Sequence, residues 1–522
     1  MNELLELNRI KKNWARFKVK VALCYPNIYK AGMSGHTIQH LYHLLNLHED
    51  SLCERVFKPE EDVPPRSVES GRPLSAFNIL AFTFQYELDY VNFLTMLLSS
   101  RIPLRRRERG ERHPLVIAGG PAVWANPCVL EDFVDLFVIG DAEPCLWDLL
   151  DLYVEQGSKE RFLQEASGLR GVYVPGVSKG VERVIVEGLD GAPHPVRQVV
   201  PLSKGWEPIF GRVLTLEATR SCSRRCRFCL VSWVGSPARH RSLKKLEEIV
   251  EEGVESTGVS KVAVIGAGFQ DHPDVEGVCE LIVDRGLELS IPSIRGDLLP
   301  SGAFKAMFKG GLKTVTMAPE AGSERLREAL GKPISDEAFI SAAARAREAG
   351  LTRLKLYFMV GLPWETEEDL EGVVKLVKRL SGLGFEGLHV SVSVFIPKAC
   401  TPLQWLPLAG RSELSRALSS VRRVSKLPRV RFSTVNVREA ELQALLSLGD
   451  RRVGRLVEEV AKLGGKLGAW RRASRSLGLS VEDYVYQPRA VDEELPWSFL
   501  RQGPSPSTLV KEFERAVKLA AA

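Results

Sequence analysis

Ser221-Cys222-Ser223-Arg224-Arg225-Cys226-Arg227-Phe228-Cys229 decides how the rest of this 522-residue chain is read. The run follows Val213-Leu214-Thr215-Leu216, which has strand character, so three cysteines leave a strand end on one short loop. Thiolates are the usual ligands of iron-sulfur clusters, and four of them normally close a four-iron cluster as an electron carrier. Three leave one iron open to a small molecule. Structural zinc usually takes four protein ligands built from CxxC-type pairs, and Cys279 and Cys400 stand alone with no partner beside them. The motif therefore favours a cluster over zinc or a chance group of buried thiols.

The spacing CxxxCxxC after a strand, with the aromatic Phe228 before the last cysteine, resembles the signature of the radical S-adenosylmethionine (SAM) superfamily. That resemblance implies a [4Fe-4S] cluster on Cys222, Cys226 and Cys229, with its open iron chelating the amino and carboxylate groups of SAM. Reduction would then cleave the sulfonium to a 5'-deoxyadenosyl radical, the hard chemistry being the cofactor's.

Composition narrows the class. The chain is long enough for several domains, and it has no apolar run of membrane-spanning length. Its start, Met1-Asn2-Glu3-Leu4-Leu5-Glu6, lacks the charged-then-apolar pattern of a signal peptide. Nine scattered cysteines argue against a disulfide framework and for a reducing cytoplasm. A net charge of +6 is mild for a dedicated nucleic-acid binder. Local basic runs, Arg105 to Arg109, Arg422 to Arg431 and Arg471-Arg472, read as solvated faces or as a track for a polyanion such as RNA.

The expected fold class is α/β in three parts. After an N-terminal extension (1–17), residues 18–164 alternate strand and helix, with strands at 19–24, 77–84, 115–118 and 136–139 and helices at 37–47 and 88–98. Glycines at the strand ends, including Gly119-Gly120 and Gly140, describe a doubly wound parallel sheet that is cobalamin-binding-like. Residues 165–208 read as a short β connector. A second series, 209–410, has strands at 213–217, 261–266, 288–294, 313–318, 353–360 and 388–396, a partial (β/α)6 barrel with its site at the carboxyl ends. Residues 411–522 read as mostly helical.

Across that barrel the resemblance implies further SAM contacts. Gly266 and Gly268 stand where these enzymes place a Gly-Gly-Glu-like bend, although the acidic third residue is missing. Arg295 offers a guanidinium for the methionine carboxylate. Glu320 and Ser323 fall where the ribose hydroxyls would lie, with ion pairing or helix capping as the plainer alternatives. Gly361 opens Gly361-Leu362-Pro363-Trp364-Glu365-Thr366, similar to the segment that lines the adenine, and Thr366 with Asp369 also makes a capping box. With Phe84-Gln85-Tyr86-Glu87, Ile396-Pro397-Lys398, Gly449-Asp450-Arg451-Arg452 and Leu495-Pro496-Trp497, the chain resembles an uncharacterised family of radical SAM proteins with an N-terminal cobalamin-binding-like domain. Bacterial members often carry a fused C-terminal domain of unknown function, whose place a separate partner would take here.

Cobalamin domains often carry Asp-x-His-x-x-Gly after the first strand, the histidine lying below cobalt. Here that place reads Asn27-Ile28-Tyr29-Lys30-Ala31-Gly32, and a protonated phenol is a poor cobalt ligand. Gly32, Thr83, Gly119 and Gly120 remain as expected contacts. Either cobalamin binds with no protein ligand on cobalt, or the domain is a relic that shapes the substrate channel. The leading function is a cobalamin-dependent radical SAM methyltransferase acting at an unreactive carbon, reduced by a partner such as ferredoxin or flavodoxin. The alternatives are cobalamin-independent thiolation, rearrangement or desaturation of RNA, lipid or peptide, and a non-catalytic iron-sulfur RNA-binding module.

Overall fold

Val19–Tyr25 (β1) starts a sheet completed by Ser51–Phe57 (β2), Ile79–Thr83 (β3), Leu115–Gly119 (β4), Leu136–Val138 (β5) and Val172–Tyr173 (β6) in a computed structural model that describes residues 4–362 and 364–521. The order is β2-β1-β3-β4-β5-β6, parallel except for β6 at the edge. The order 2-1-3-4-5 is a common doubly wound arrangement, whose crevice opens at the carboxyl ends beside the β1/β3 switch point. The strand β2 has no counterpart among the expected strands. Glu54 and Arg55 interrupt its apolar run, yet Arg55 is fully buried between Glu6 (2.7 Å) and Glu69 (2.7 Å).

Both faces of this sheet are covered. The helix His36–Leu47 and the helix Leu146–Glu155 bury Ile38, Tyr42, Leu45, Leu149 and Leu150 on one face. On the other, the helix Asp89–Ser99 packs against Arg451–Lys462, so the C-terminal helical region shares a core with the N-terminal sheet. The connector ties ends together: Val200–Pro201 pairs with Glu6–Leu7, and Val181–Glu182 with Leu500–Arg501.

The second series forms two parallel sheets. Leu214–Glu217 (β7), Lys261–Ile265 (β8) and Glu288–Ser290 (β9) make one; Thr314–Glu320 (β10), Arg353–Val360 (β11), Gly387–Val394 (β12) and Val430–Thr434 (β13) make the other. A parallel bridge between Ile294 and Met317 links them into an open, curved wall. The strand β13 lies beyond residue 410, where the sequence pattern ended the barrel. Its Arg431 and Ser433 carry little strand signal, but it pairs with β12 over five residues.

The doubly wound sheet and the barrel wall meet carboxyl edge to carboxyl edge. After β5, Asp141 and Glu143 receive Arg220 from just beyond β7, at 3.3 and 2.9 Å, and Asp141 also pairs with Arg239. After β3, Glu87 pairs with Lys398, which follows β12. After β4, the helix Pro121–Ala125 packs against Leu230–Val234, the helix that opens at Cys229. Behind these contacts His36, His40 and His194 stack in a buried cluster beside Glu217 and Glu143.

Candidate active site

The cysteine loop is framed by its own chain. Ser221 and Arg225 take positive φ (69° and 49°), which turns the loop sharply at both sides of Cys222. The fully buried Trp233 donates its indole N–H to the Cys226 carbonyl at 2.9 Å, and Ser232 donates to the Cys229 carbonyl at 3.0 Å. Arg227 is buried, donates to the carbonyls of Glu328 and Ala329 at 2.9 Å, and pairs with Glu512 of the C-terminal helix Pro506–Ala521 at 2.8 Å. The three cysteines are free and partly exposed, whereas Cys24, Cys53, Cys128, Cys145, Cys279 and Cys400 are buried.

The donor set fits a cluster. Three unpaired thiols stand on one loop, close enough that Cys222 and Cys229 act electrostatically on Cys226. Burial pushes the Cys226 thiol up to about 12. Among the described residues no three such side chains stand at metal-ligating spacing.

The expected SAM residues gather around this loop. A Cβ on Gly268 would come within 3.0 Å of the Ser221 carbonyl and 3.1 Å of Cys222 Cα, and one on Gly266 would overlap the Thr219 hydroxyl. That hydroxyl is buried without a hydrogen-bond partner, a free polar group beside a bend where a ligand would approach backbone. Phe228 packs with Ala321, Leu326, Leu362 and Phe395, bringing the loop against the ends of β10, β11 and β12. Gly361, at φ 83°, donates its N–H to Glu365 at 2.8 Å, and burial raises that carboxyl to about 8. Pro363 lies outside the described residues.

Three expected contacts already have partners. Arg295 is paired with Asp297 at 2.7 Å. Glu320, at φ 69°, is paired with Lys332 at 2.8 Å. Ser323 caps the helix Glu324–Ala329 and donates to Asp369, so it takes its plainer role. Asp271, which belongs to no motif of the sequence, accepts from Ser223 at 2.8 Å, pairs with Arg224 and stands 3.9 Å from Cys222 Sγ. Its signal was its place, three residues after Gly268 on the same bend.

The cobalamin-type residues divide differently. Tyr29 is turned inward: its hydroxyl donates to Glu6 at 2.7 Å, and its ring packs edge-on to Phe57 and Trp206. Burial drives its phenol well above the usual range. A Cβ on Gly32 would lie 2.5 Å from the Phe57 ring, and one on Gly120, at φ 101°, 2.5 Å from the Phe84 carbonyl. At Gly32 and Gly120 the side-chain direction is thus closed by the protein's own atoms, so only glycine fits at either place. Gly119 has only ordinary contact, with the Val138 carbonyl at 3.6 Å, and Thr83 accepts from Gln85 at 3.1 Å. Beyond Gly120, the buried Trp124 indole N–H and Gln502 amide oxygen lack partners, donor and acceptor groups that suit a ligand bearing amide arms.

A doubly wound sheet facing an open parallel barrel, with a three-cysteine loop at their shared edge, defines a radical SAM architecture. Residues 37–175 match the family model described as radical SAM proteins, N-terminal, and residues 216–377 that of the radical SAM superfamily. An uncharacterised protein of Methanocaldococcus jannaschii is 30% identical over 84% of this chain and 90% of its own length. An uncharacterised methyltransferase of Pyrococcus horikoshii is 28% identical over 51% of this chain and 58% of its own. The solved structure of the radical SAM methyltransferase TsrM from Kitasatospora setae, with cobalamin and a [4Fe-4S] cluster bound, shares the fold at TM-score 0.55 and 14% identity, covering 88% of this chain and 99% of that one. The chain belongs to the radical SAM superfamily, and an N-terminal domain found in radical SAM proteins precedes its core. It is an enzyme, in a superfamily that works with a [4Fe-4S] cluster and SAM. Among the described residues no helix is long and apolar enough to cross a membrane.

Proposed function

We propose that this enzyme methylates an unreactive carbon, with SAM at the cysteine loop and a corrinoid between the facing carboxyl edges. The observation that carries the reading is the contact of Pro121–Ala125 with Leu230–Val234. It sets the edge of β4 directly against the helix that begins at Cys229, so a group seated on the doubly wound edge would face the open position above the cysteines. When bound, the cluster and SAM supply a hydrogen-abstracting radical and the corrinoid a transferable methyl group.

The chain's own residues do the rest. Cys222, Cys226 and Cys229 would hold three irons, while Trp233 and Ser232 fix the carbonyls between them. The Gly266–Gly268 bend brings backbone within reach of the SAM ammonium. Tyr29 is committed to Glu6, so the β1 loop would place no ligand on cobalt. The Glu87–Lys398 and Arg220–Asp141 pairs close the sides and limit water.

A radical reaction without corrinoid draws on the close packing of Phe57 against Gly32 and of the Phe84 backbone against Gly120. One experiment separates the readings: anaerobic reconstitution with iron and sulfide, then addition of hydroxocobalamin, SAM and dithionite as the reductant of the cluster. Methylation predicts 5'-deoxyadenosine formation together with protein-bound corrin absorbance. 5'-Deoxyadenosine without corrin uptake selects the second reading.

A further inference from the structure

The inner wall of the barrel carries a row of charge that the chemistry above does not use. In β11, Leu354, Leu356 and Phe358 face the surrounding helices, so Arg353, Lys355 and Tyr357 take the opposite face. The alternation repeats in β12, where Leu388, Val390 and Val392 are buried and His389 and Ser391 oppose them. Register then aligns four residues across four strands: Thr316 beside Lys355, Lys355 beside His389, His389 beside Arg431.

This row is uncompensated. Lys355 and Arg431 stand on either side of His389, and among the described residues Arg353, Lys355 and Arg431 form no salt bridge, whereas Arg379 and Arg423 do. Lys355 lies over the Tyr357 ring at 4.9 Å, and His389 shares a hydrogen bond with Ser433 at 2.8 Å. Burial, with the charges of Lys355 and Arg431, holds His389 below its usual range. The row opens on a cavity of about 840 Å³ at the amino ends of these strands, lined also by Arg353, Arg429 and the carboxylate Glu386. A cavity of that size suits a small molecule.

We infer that Lys355, His389 and Arg431 anchor a phosphate or carboxylate group of a small-molecule substrate of the radical reaction proposed above. An arginine fork and a lysine ammonium are the usual donors to such anions. From Lys355 to the carboxyl end of β11 is roughly 17 Å at about 3.3 Å per residue. A substrate anchored here that also reaches the cysteine loop is therefore elongated, and the cavity, whose lining ends at Lys355 and His389, receives its anchored end.

The test is calorimetric titration of the purified chain with pyrophosphate and, separately, with tricarballylate. Saturable binding of either supports the anchor, and which one binds separates a phosphate from a carboxylate source. Lys355→Gln and Arg431→Gln should each weaken binding by about tenfold, the loss of one charge-assisted contact, with the circular dichroism unchanged. Lys309→Gln, at an exposed surface pair, should bind as the parent does. Binding of neither anion, or equal binding by all variants, overturns the anchor. A protein that cleaves SAM but binds neither anion loses only this inference; one that binds them without cleaving SAM keeps it and loses the radical reading. Single-stranded RNA that binds in preference to both anions, and weakens with the same two variants, replaces the small-molecule assignment.

Discussion

Glu87 and Lys398 stand 311 residues apart in the chain and 2.5 Å apart in the fold. Ser447 completes the junction, donating to Glu87 at 2.9 Å and accepting from Lys398 at 3.0 Å. Three separate stretches, after β3, after β12 and in the C-terminal helices, thus share one buried ion pair that holds the doubly wound edge to the barrel mouth.

Breaking such a pair from one side leaves a charge buried and alone. Lys398→Met should lower the unfolding free energy by about 3 kcal/mol, read from urea denaturation. Burial raises the Glu87 carboxyl, but the Lys398 charge and hydrogen bonds from Lys398 and Gln443 outweigh it and hold it below the ordinary value. The sign follows from that depression: the stabilisation is complete above the unfolded carboxyl value of about 4.3 and is lost as pH falls through the lower folded value. In Lys398→Met this acid-side loss should shrink.

Replacing Cys222, Cys226 or Cys229 by Ala should each remove the visible cluster absorbance and 5'-deoxyadenosine formation, because two thiolates hold a cluster poorly. Cys400→Ala should leave both in place, since that thiol is buried against the Ala125 carbonyl. Full activity in all three loop variants would remove the cluster from this loop.

Asp271→Asn should shift the cluster's midpoint potential upward by on the order of tens of millivolts, because a negative charge 3.9 Å from a ligating sulfur is removed. Redox titration followed by electron paramagnetic resonance checks the shift. An unchanged potential would leave Asp271 as a clasp for Ser223 and Arg224 only.

What the sequence shows of this site follows from distance along the chain. The cysteine loop is local, and a strand, a turn and three thiols suffice to read it. The barrel strands are legible because Leu, Val and Phe alternate on the helix side. Arg295 and Glu320 could be placed at strand ends, but their engagement by Asp297 and Lys332 depends on loop geometry. The strand β2 is invisible for a related reason: Arg55 belongs in a core because Glu6, 49 residues earlier, and Glu69 both pair with it. Asp271 and the Lys355–His389–Arg431 row emerge only once strands are set in register.

The two glycines after β4 should behave oppositely. Gly120→Ala should destabilise the fold by about 1 to 3 kcal/mol, since φ is 101° and the new Cβ meets the Phe84 backbone. Gly119→Val should leave the melting temperature nearly unchanged, because only the Val138 carbonyl stands near, while its added bulk on the carboxyl edge lowers corrinoid uptake. Equal uptake by Gly119→Val and parent would place any corrinoid elsewhere.

Tyr29→Phe separates the first-strand loop from cobalt chemistry. In the fold the phenol donates to Glu6, which also receives Arg55, and the Glu6 and Arg55 side chains are fully buried. Losing a hydrogen bond to a buried charged group costs about 1.5 to 3 kcal/mol, so the variant should unfold at lower urea concentration. The cobalt environment should not notice: corrinoid affinity and the cobalt(II) paramagnetic spectrum should match the parent, because the hydroxyl is directed to Glu6 rather than toward the edge. A changed cobalt spectrum with unchanged stability would mean that Tyr29 leaves Glu6 for the metal, and the ligand-free description of this loop would fall.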